Sequence, residues 1–343
     1  MIANLPLPLL LLVFILAAAA VVVSSIKATG LADIIADRTR MGEALAGGLI
    51  LGAATSLAGV VVSVDAAISG DASFAFSNSV GGIAAQTLFL ALADIIHRKA
   101  NLEHAAAEPA NLFQAVMLIV LLSIPLCAMA GPDMAYFGVH PASILMFLAY
   151  LGGVKLTQTV SEQPMWRPVQ TRDTRTDEPE DDDEKDRSAL RPALIFLALV
   201  AVMGLGGYVI SQVGGSLITR FGLASSLVGA VITAVVTSLP ELVTTLTAVK
   251  RGALQLAVGG IIGGNTFDTL FLVASDVSYR DGSLFHAVSG TDLYWLATGL
   301  LMTAVLLGGL ILRQRAGPGR IGIESVLLIA IYAAALAVQF TAA

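Results

Sequence analysis

Glu241 and Asp268 each stand in the middle of a long apolar stretch. A carboxylate in hydrocarbon costs about 2.5–3.5 kcal/mol even on the lenient insertion scale, so each needs a compensating partner inside the protein. Around them the sequence gathers Thr237, Ser238, Thr244, Thr245, Asn265 and Thr266. Pro240 withdraws a backbone N–H from its helix, which frees carbonyls near Thr237 to face a cavity. The glycines within residues 259–264 let two helix backbones approach. The result is an all-oxygen set of two carboxylates, hydroxyls, one amide and freed carbonyls. Hard cations such as Ca²⁺, Na⁺ or Mg²⁺ take oxygen ligands, and nothing soft is offered here. The competing reading is a protonated glutamate hydrogen-bonded inside a helical bundle. The company of Asp268 and Asn265 beside a broken helix favours the cation.

The elements that must position these groups are membrane spans. The chain has 343 residues, 56% hydrophobic and only 13% charged, against roughly 25% charge in soluble domains. An all-α integral membrane protein is therefore expected. Windows of about 20 apolar residues predict ten spans, over 5–26, 44–68, 74–96, 111–130, 140–160, 193–212, 225–249, 255–277, 290–312 and 322–341. The first lacks a basic flank and is read as a retained helix, not a leader. A polar stretch at 161–191, with an acidic run at 177–186, separates five spans from five. It reads as a solvated linker, because it lacks the spacing of a calcium loop. Every Lys and Arg except Arg220 and Arg280 falls after an odd-numbered span or, like Lys155, at the end of one. The positive-inside rule then puts both termini outside and the acidic linker in the cytoplasm, in a plasma or inner membrane. Tyr294 and Trp295 read as interface anchors. Cys127 is the only cysteine, which excludes an intramolecular disulfide and a cysteine metal cluster. The four histidines, His97, His104, His140 and His286, lie at span ends or in loops, and no nucleophile–base pairing is visible. An enzyme, a resident cofactor and a nucleic-acid partner are not expected; the partners are inorganic cations and the bilayer.

The two halves repeat one another. With an offset of 182 residues, positions 45–94 align without a gap to 227–276, and 17 of the 50 pairs are identical. They include Thr55-Ser56-Leu57 with Thr237-Ser238-Leu239, Gly70 with Gly252, and Asp94 with Asp276. The copies begin five spans apart and so cross the membrane in opposite directions. Inverted repeats of this kind place a transport site at the midplane between the halves. The expected organisation is a first five-helix repeat (1–160, core 45–96), the linker (161–191) and a second five-helix repeat (192–343, core 227–277). Asp94 and Asp276 read as helix-terminating residues.

The stretch "TSLPELVTTLTAVKRGALQLAVGGIIGGNTFDTLF" at 237–271 resembles the second alpha repeat of the calcium/cation antiporter superfamily, the sodium/calcium exchangers and their relatives. The resemblance implies that Glu241 and Asp268 are cation ligands, joined by Thr237, Ser238 and Asn265; a family serine is Gly264 here. The first half departs further. Where the family expects proline and glutamate the chain has Ala58 and Gly59, the asparagine has become Ile83, and Gln86 takes the acidic or amide position. Thr55, Ser56, Asn78 and Gln86 remain as neutral oxygen donors, and Asp65 is too far along its span to substitute.

Carboxylates from one half give a maximum site charge of −2, which one Ca²⁺, two Na⁺ or two protons would neutralise. The expected function is a secondary antiporter exchanging Ca²⁺ for Na⁺ or H⁺ at one shared site by alternating access. Fewer counter-ions should move per cycle than with a glutamate from each half. A Na⁺/H⁺ exchanger, or a non-transporting sensor that keeps the fold, are the alternatives.

Overall fold

The structure is a computed structural model and describes residues 2–39, 52–97, 100–106, 108–169, 171, 190–315, 317 and 321–342. Its helices are α1 (Leu7–Thr39), α2 (Gly52–Thr55), α3 (Leu57–Ile68), α4 (Ala72–His97), α5 (Leu102–Ala105), α6 (Pro109–Ala130) and α7 (Pro141–Glu162). They continue as α8 (Leu190–Phe221), α9 (Ser225–Thr237), α10 (Leu239–Arg251), α11 (Leu254–Ser278), α12 (Leu284–Ala287), α13 (Gly290–Leu312) and α14 (Ile323–Ala342). Eight are long and apolar enough to cross a membrane, and the bent pair α9–α10 makes a ninth span. The span expected over 44–68 appears as α2 and α3; its residues 44–51 lie outside the described residues, as does most of the acidic linker.

The repeat is visible in how the helices stop and start. α2 gives way to α3 at Ser56, and α9 to α10 at the repeat-equivalent Ser238, with a 42° bend at the second break. Proline stands only after Ser238, so Pro240 does not by itself explain the interruption. The two breaks share a serine hydroxyl turned into the protein: Ser56 donates to Asp268, and Ser238 accepts from Gln86. The next stop is shared too. Gly70 (φ +83°) and Gly252 (φ +85°) end α3 and α10 in the left-handed conformation that side chains resist.

Asp94 and Asp276 do more than terminate helices. Asp94 Oδ1 accepts from the Leu102 N–H at 2.8 Å, and its Oδ2 accepts from Gly322 N–H at 2.8 Å and Ser325 Oγ at 2.9 Å. Asp276 repeats this set with an offset of 182 residues. Its Oδ1 accepts from Leu284 N–H at 3.1 Å, and its Oδ2 from His140 N–H at 2.8 Å and Ser143 Oγ at 2.6 Å. Each aspartate thus ties its own half to the N-terminus of the last helix of the other half, α14 for Asp94 and α7 for Asp276. Hydrogen bonds to a charged acceptor contribute about 1.5–3 kcal/mol each, so these are two strong cross-repeat clasps. The same three pairings, repeated at one offset, extend the repeat to Ser143 and Ser325, beyond residues 45–94 and 227–276.

The core sits on α4 and α11, the two most buried spans. Glycine brings α4 close to its neighbour: a Cβ at Gly81 would run into the Ala230 backbone of α9. Trp295 is not an interface anchor. It is fully buried, donates to Gln339 Oε1 at 2.7 Å and stacks edge-on against Tyr332.

Candidate cation-binding site

The two helix breaks and the middles of α4 and α11 meet at one point. There a void of about 10 Å³ is lined by Ser56, Gly59, Asn78, Gly82 and Gln86 from the first half and by Thr237, Ser238, Glu241, Asp268 and Phe271 from the second. Seven of these are residues whose oxygens the sequence singles out. A void of this size holds about one water-sized particle.

Asp268 is engaged by the first half. Ser56 Oγ donates to Oδ1 at 2.7 Å, and Gln86 Nε2 donates to Oδ2 at 2.6 Å and to Ser238 Oγ at 3.2 Å. Gln86 and Asp268 are repeat equivalents, so the amide and the carboxylate face one another across the pseudo-two-fold axis. A neutral donor on one side and an anionic acceptor on the other make a bond that two carboxylates could not.

Glu241 is the contrasting member. It is buried at the start of α10, with Thr55 beside it, yet neither carboxylate oxygen has a well-formed hydrogen bond among the described residues. Gln86 Oε1 is likewise buried and unpartnered. Buried polar atoms are nearly always satisfied, and each exception calls for a reason. Three acceptor oxygens without a well-formed hydrogen bond, in and around one small void, fit a bound cation as cargo. Gly264, where the family resemblance implies a serine, lies opposite Gln86: a Cβ there would sit 3.4 Å from Oε1.

The remaining oxygen donors are mostly committed elsewhere. Asn78 lines the void, but its Nδ2 donates to Gly59 O at 3.2 Å and Ser63 Oγ at 2.9 Å, and its Oδ1 accepts from Thr233 at 2.7 Å. It holds α3 against α4 and α9. Asn265 turns to Thr87 Oγ1 at 3.0 Å on α4 and keeps its Oδ1 unpartnered. The hydroxyls of Thr237, Thr244 and Thr266 donate to carbonyls of their own helices. Asp65 is away from the void, bound by Ser211 at 2.7 Å and Gln212 at 3.0 Å on α8. Among the described residues no group of three or more His, Cys, Asp or Glu is placed to hold a metal ion, so the two carboxylates act with neutral oxygens or not at all. Phe271 is the lining residue that reasoning from polar motifs missed.

Residues 9–155 and 191–341 match the family described as sodium/calcium exchanger protein. The chain belongs to that family. Its members are transporters, not enzymes, and the apolar helices make this chain an integral membrane protein. The putative antiporter CaxA of Alkalimonas amylolytica is 35% identical over 95 residues, a match that takes in 27% of this chain and 30% of that protein. The sodium-calcium exchanger NCX_Mj, solved after soaking with Na⁺ and Sr²⁺, superposes with a TM-score of 0.58 at 18% identity, over 96% of this chain and 98% of that one. The H⁺/Ca²⁺ exchanger CAX gives a TM-score of 0.70 at 13% identity, over 95% and 81% of the two chains. At these identities the likeness is one of fold, and it covers nearly the whole chain.

Proposed function

We propose that the chain is a secondary active antiporter that moves Ca²⁺ in exchange for Na⁺ or H⁺, with Glu241 and Asp268 as the charged ligands of one alternately occupied site. The observation that carries this reading is the buried Glu241 carboxyl, neither oxygen in a well-formed hydrogen bond, sharing a cation-sized void with Asp268. Ser56, Ser238, Thr237 and the Oε1 of Gln86 would complete an oxygen shell of the kind hard cations take. Thr55, Asn78 and Asn265 support the shell from behind. Two carboxylates balance one divalent ion or two monovalent ones, so the exchange is electroneutral. The two named exchangers of this fold differ in their counter-ion, Na⁺ for one and H⁺ for the other, and both remain candidates here. The basic residues orient both termini outside and the acidic linker in the cytoplasm.

One observation favours a second reading, Na⁺/H⁺ exchange. Asp268 is already bonded by Ser56 and Gln86, and a divalent ion would have to displace those donors. Reconstituted protein decides between them. ⁴⁵Ca²⁺ uptake driven by an outward Na⁺ or H⁺ gradient, lost in Glu241→Gln, is the expected result. No ⁴⁵Ca²⁺ uptake with either gradient, together with ²²Na⁺ uptake driven by an outward H⁺ gradient, would establish the second reading.

A further inference from the structure

The repeat pairs Gly59 with Glu241. An ideal Cβ built at Gly59 would lie 2.6 Å from Cε2 of Phe271, an approach real Cβ atoms essentially never make, and 3.2 Å from its Cζ. The Phe271 ring therefore occupies the space into which a side chain at 59 would project. The ring is buried, and Phe267 packs edge-on against it with centroids 6.4 Å apart. Tyr150 in turn packs edge-on against Phe267 at 6.1 Å. The first half has no such backing, because Ala85 stands at the repeat position of Phe267 and leaves Phe89 without an aromatic neighbour one turn before it. The Gly59 carbonyl is also tied off by Asn78.

We propose that Phe271 sets the ion capacity of the site: its ring, admitted by Gly59 and braced by Phe267, fills the lobe opposite Glu241 and leaves room for carboxylate ligands from the second half only. Phe271 is thus a specificity-determining residue that acts by exclusion. The inference rests on the antiporter reading for its consequence and on geometry alone for its steric part, and the two parts are tested separately.

The steric part is a double-mutant cycle in detergent-solubilised protein, read by thermal melting without ions. Gly59→Ala should lower the melting temperature by several degrees in the native background and by much less when Phe271→Ala is also present. An equal cost in both backgrounds would overturn the plug. The functional part uses ⁴⁵Ca²⁺ bound at equilibrium and displaced by Na⁺ or by H⁺. The native protein should show a displacement slope of about two, and the folded pair Gly59→Glu with Phe271→Ala a slope of about three. A slope unchanged in that folded pair would contradict the proposal, as would an equal gain from Gly59→Glu alone, since that would mean the ring excludes nothing. If the native protein bound no ⁴⁵Ca²⁺, the Ca²⁺ antiporter reading would fail, while the melting cycle would still judge the plug.

Discussion

The clasps and the candidate ion site are built on the same 182-residue repeat and have been treated differently by it. At the clasps Asp94 and Asp276 make the same three bonds atom for atom. At the centre the equivalences are Gly59 with Glu241 and Gln86 with Asp268, an absent or neutral group against a carboxylate each time. The difference teaches which demands are mechanical and which are chemical. Two inverted halves need the same fastening at both ends. On the proposed reading, the centre needs only a total charge and an oxygen shell, and one half can supply the charge. The asymmetry is also internally consistent: Gln86 makes a donor for Asp268, and Gly59 makes room for Phe271.

The largest expected effect breaks the comparison from the charged side. Glu241→Gln should reduce gradient-driven ⁴⁵Ca²⁺ uptake to background, because a neutral amide cannot balance a divalent ion. Gln86→Asp restores charge to the neutral half and comes next. It removes the donor to Asp268 and sets a like charge beside it, so the ion-free protein should melt lower than the native one. Saturating Ca²⁺ should raise its melting temperature by more than it raises the native protein's.

The clasps then sharpen the comparison, because their surroundings are not identical. Glu103 in α5 is buried against Asp94 and Glu324, and Asn101 donates to Glu324, whereas the repeat position of Glu103 holds Phe285 beside Asp276. Asp276→Asn should therefore lower the melting temperature more than Asp94→Asn, since the latter also relieves repulsion among three acids. Equal losses would mean that Glu103 and Glu324 exert no strain.

The smallest effect concerns Glu103 itself. Burial above all, then Asp94 and Glu324, push its carboxyl well above the usual carboxylate range. A raised folded-state pKa gives stability that is fully present in acid, below the unfolded value, and is lost as pH rises through the folded one. Glu103→Gln should thus melt like the native protein at acid pH and a few degrees higher at neutral pH and above. A variant that melts lower than the native protein at every pH would contradict this.

Much of this was legible in the sequence because the bilayer constrains it. A span must be about 20 apolar residues long, so composition and spacing located the helices. Glu241 and Asp268 stood out because charge in hydrocarbon is costly. The repeat was readable because Thr, Ser, Gly and Asp match at fixed spacing. What stayed hidden depends on three-dimensional approach. Phe271 is an apolar residue among many, and only its distance to Gly59 gives it a role. The partners of Asp94 and Asp276 lie far along the chain, so their cross-repeat bonds look like helix ends in one dimension. Trp295 sits at a span end where anchors are common, and its partner Gln339 is on another helix. Asn78, Thr244 and Thr266 carry the right atoms for ligands, but their side chains are engaged by backbone and neighbouring groups.

The central claim is that one half supplies all the site charge, so one divalent ion exchanges for two monovalent charges. ⁴⁵Ca²⁺ accumulation in liposomes, with the counter-ion gradient fixed and the membrane potential clamped by K⁺ and valinomycin, tests it most directly. The account predicts the same accumulation at every clamped potential. Accumulation that shifts steadily with potential, as three monovalent ions per Ca²⁺ would require, would contradict it.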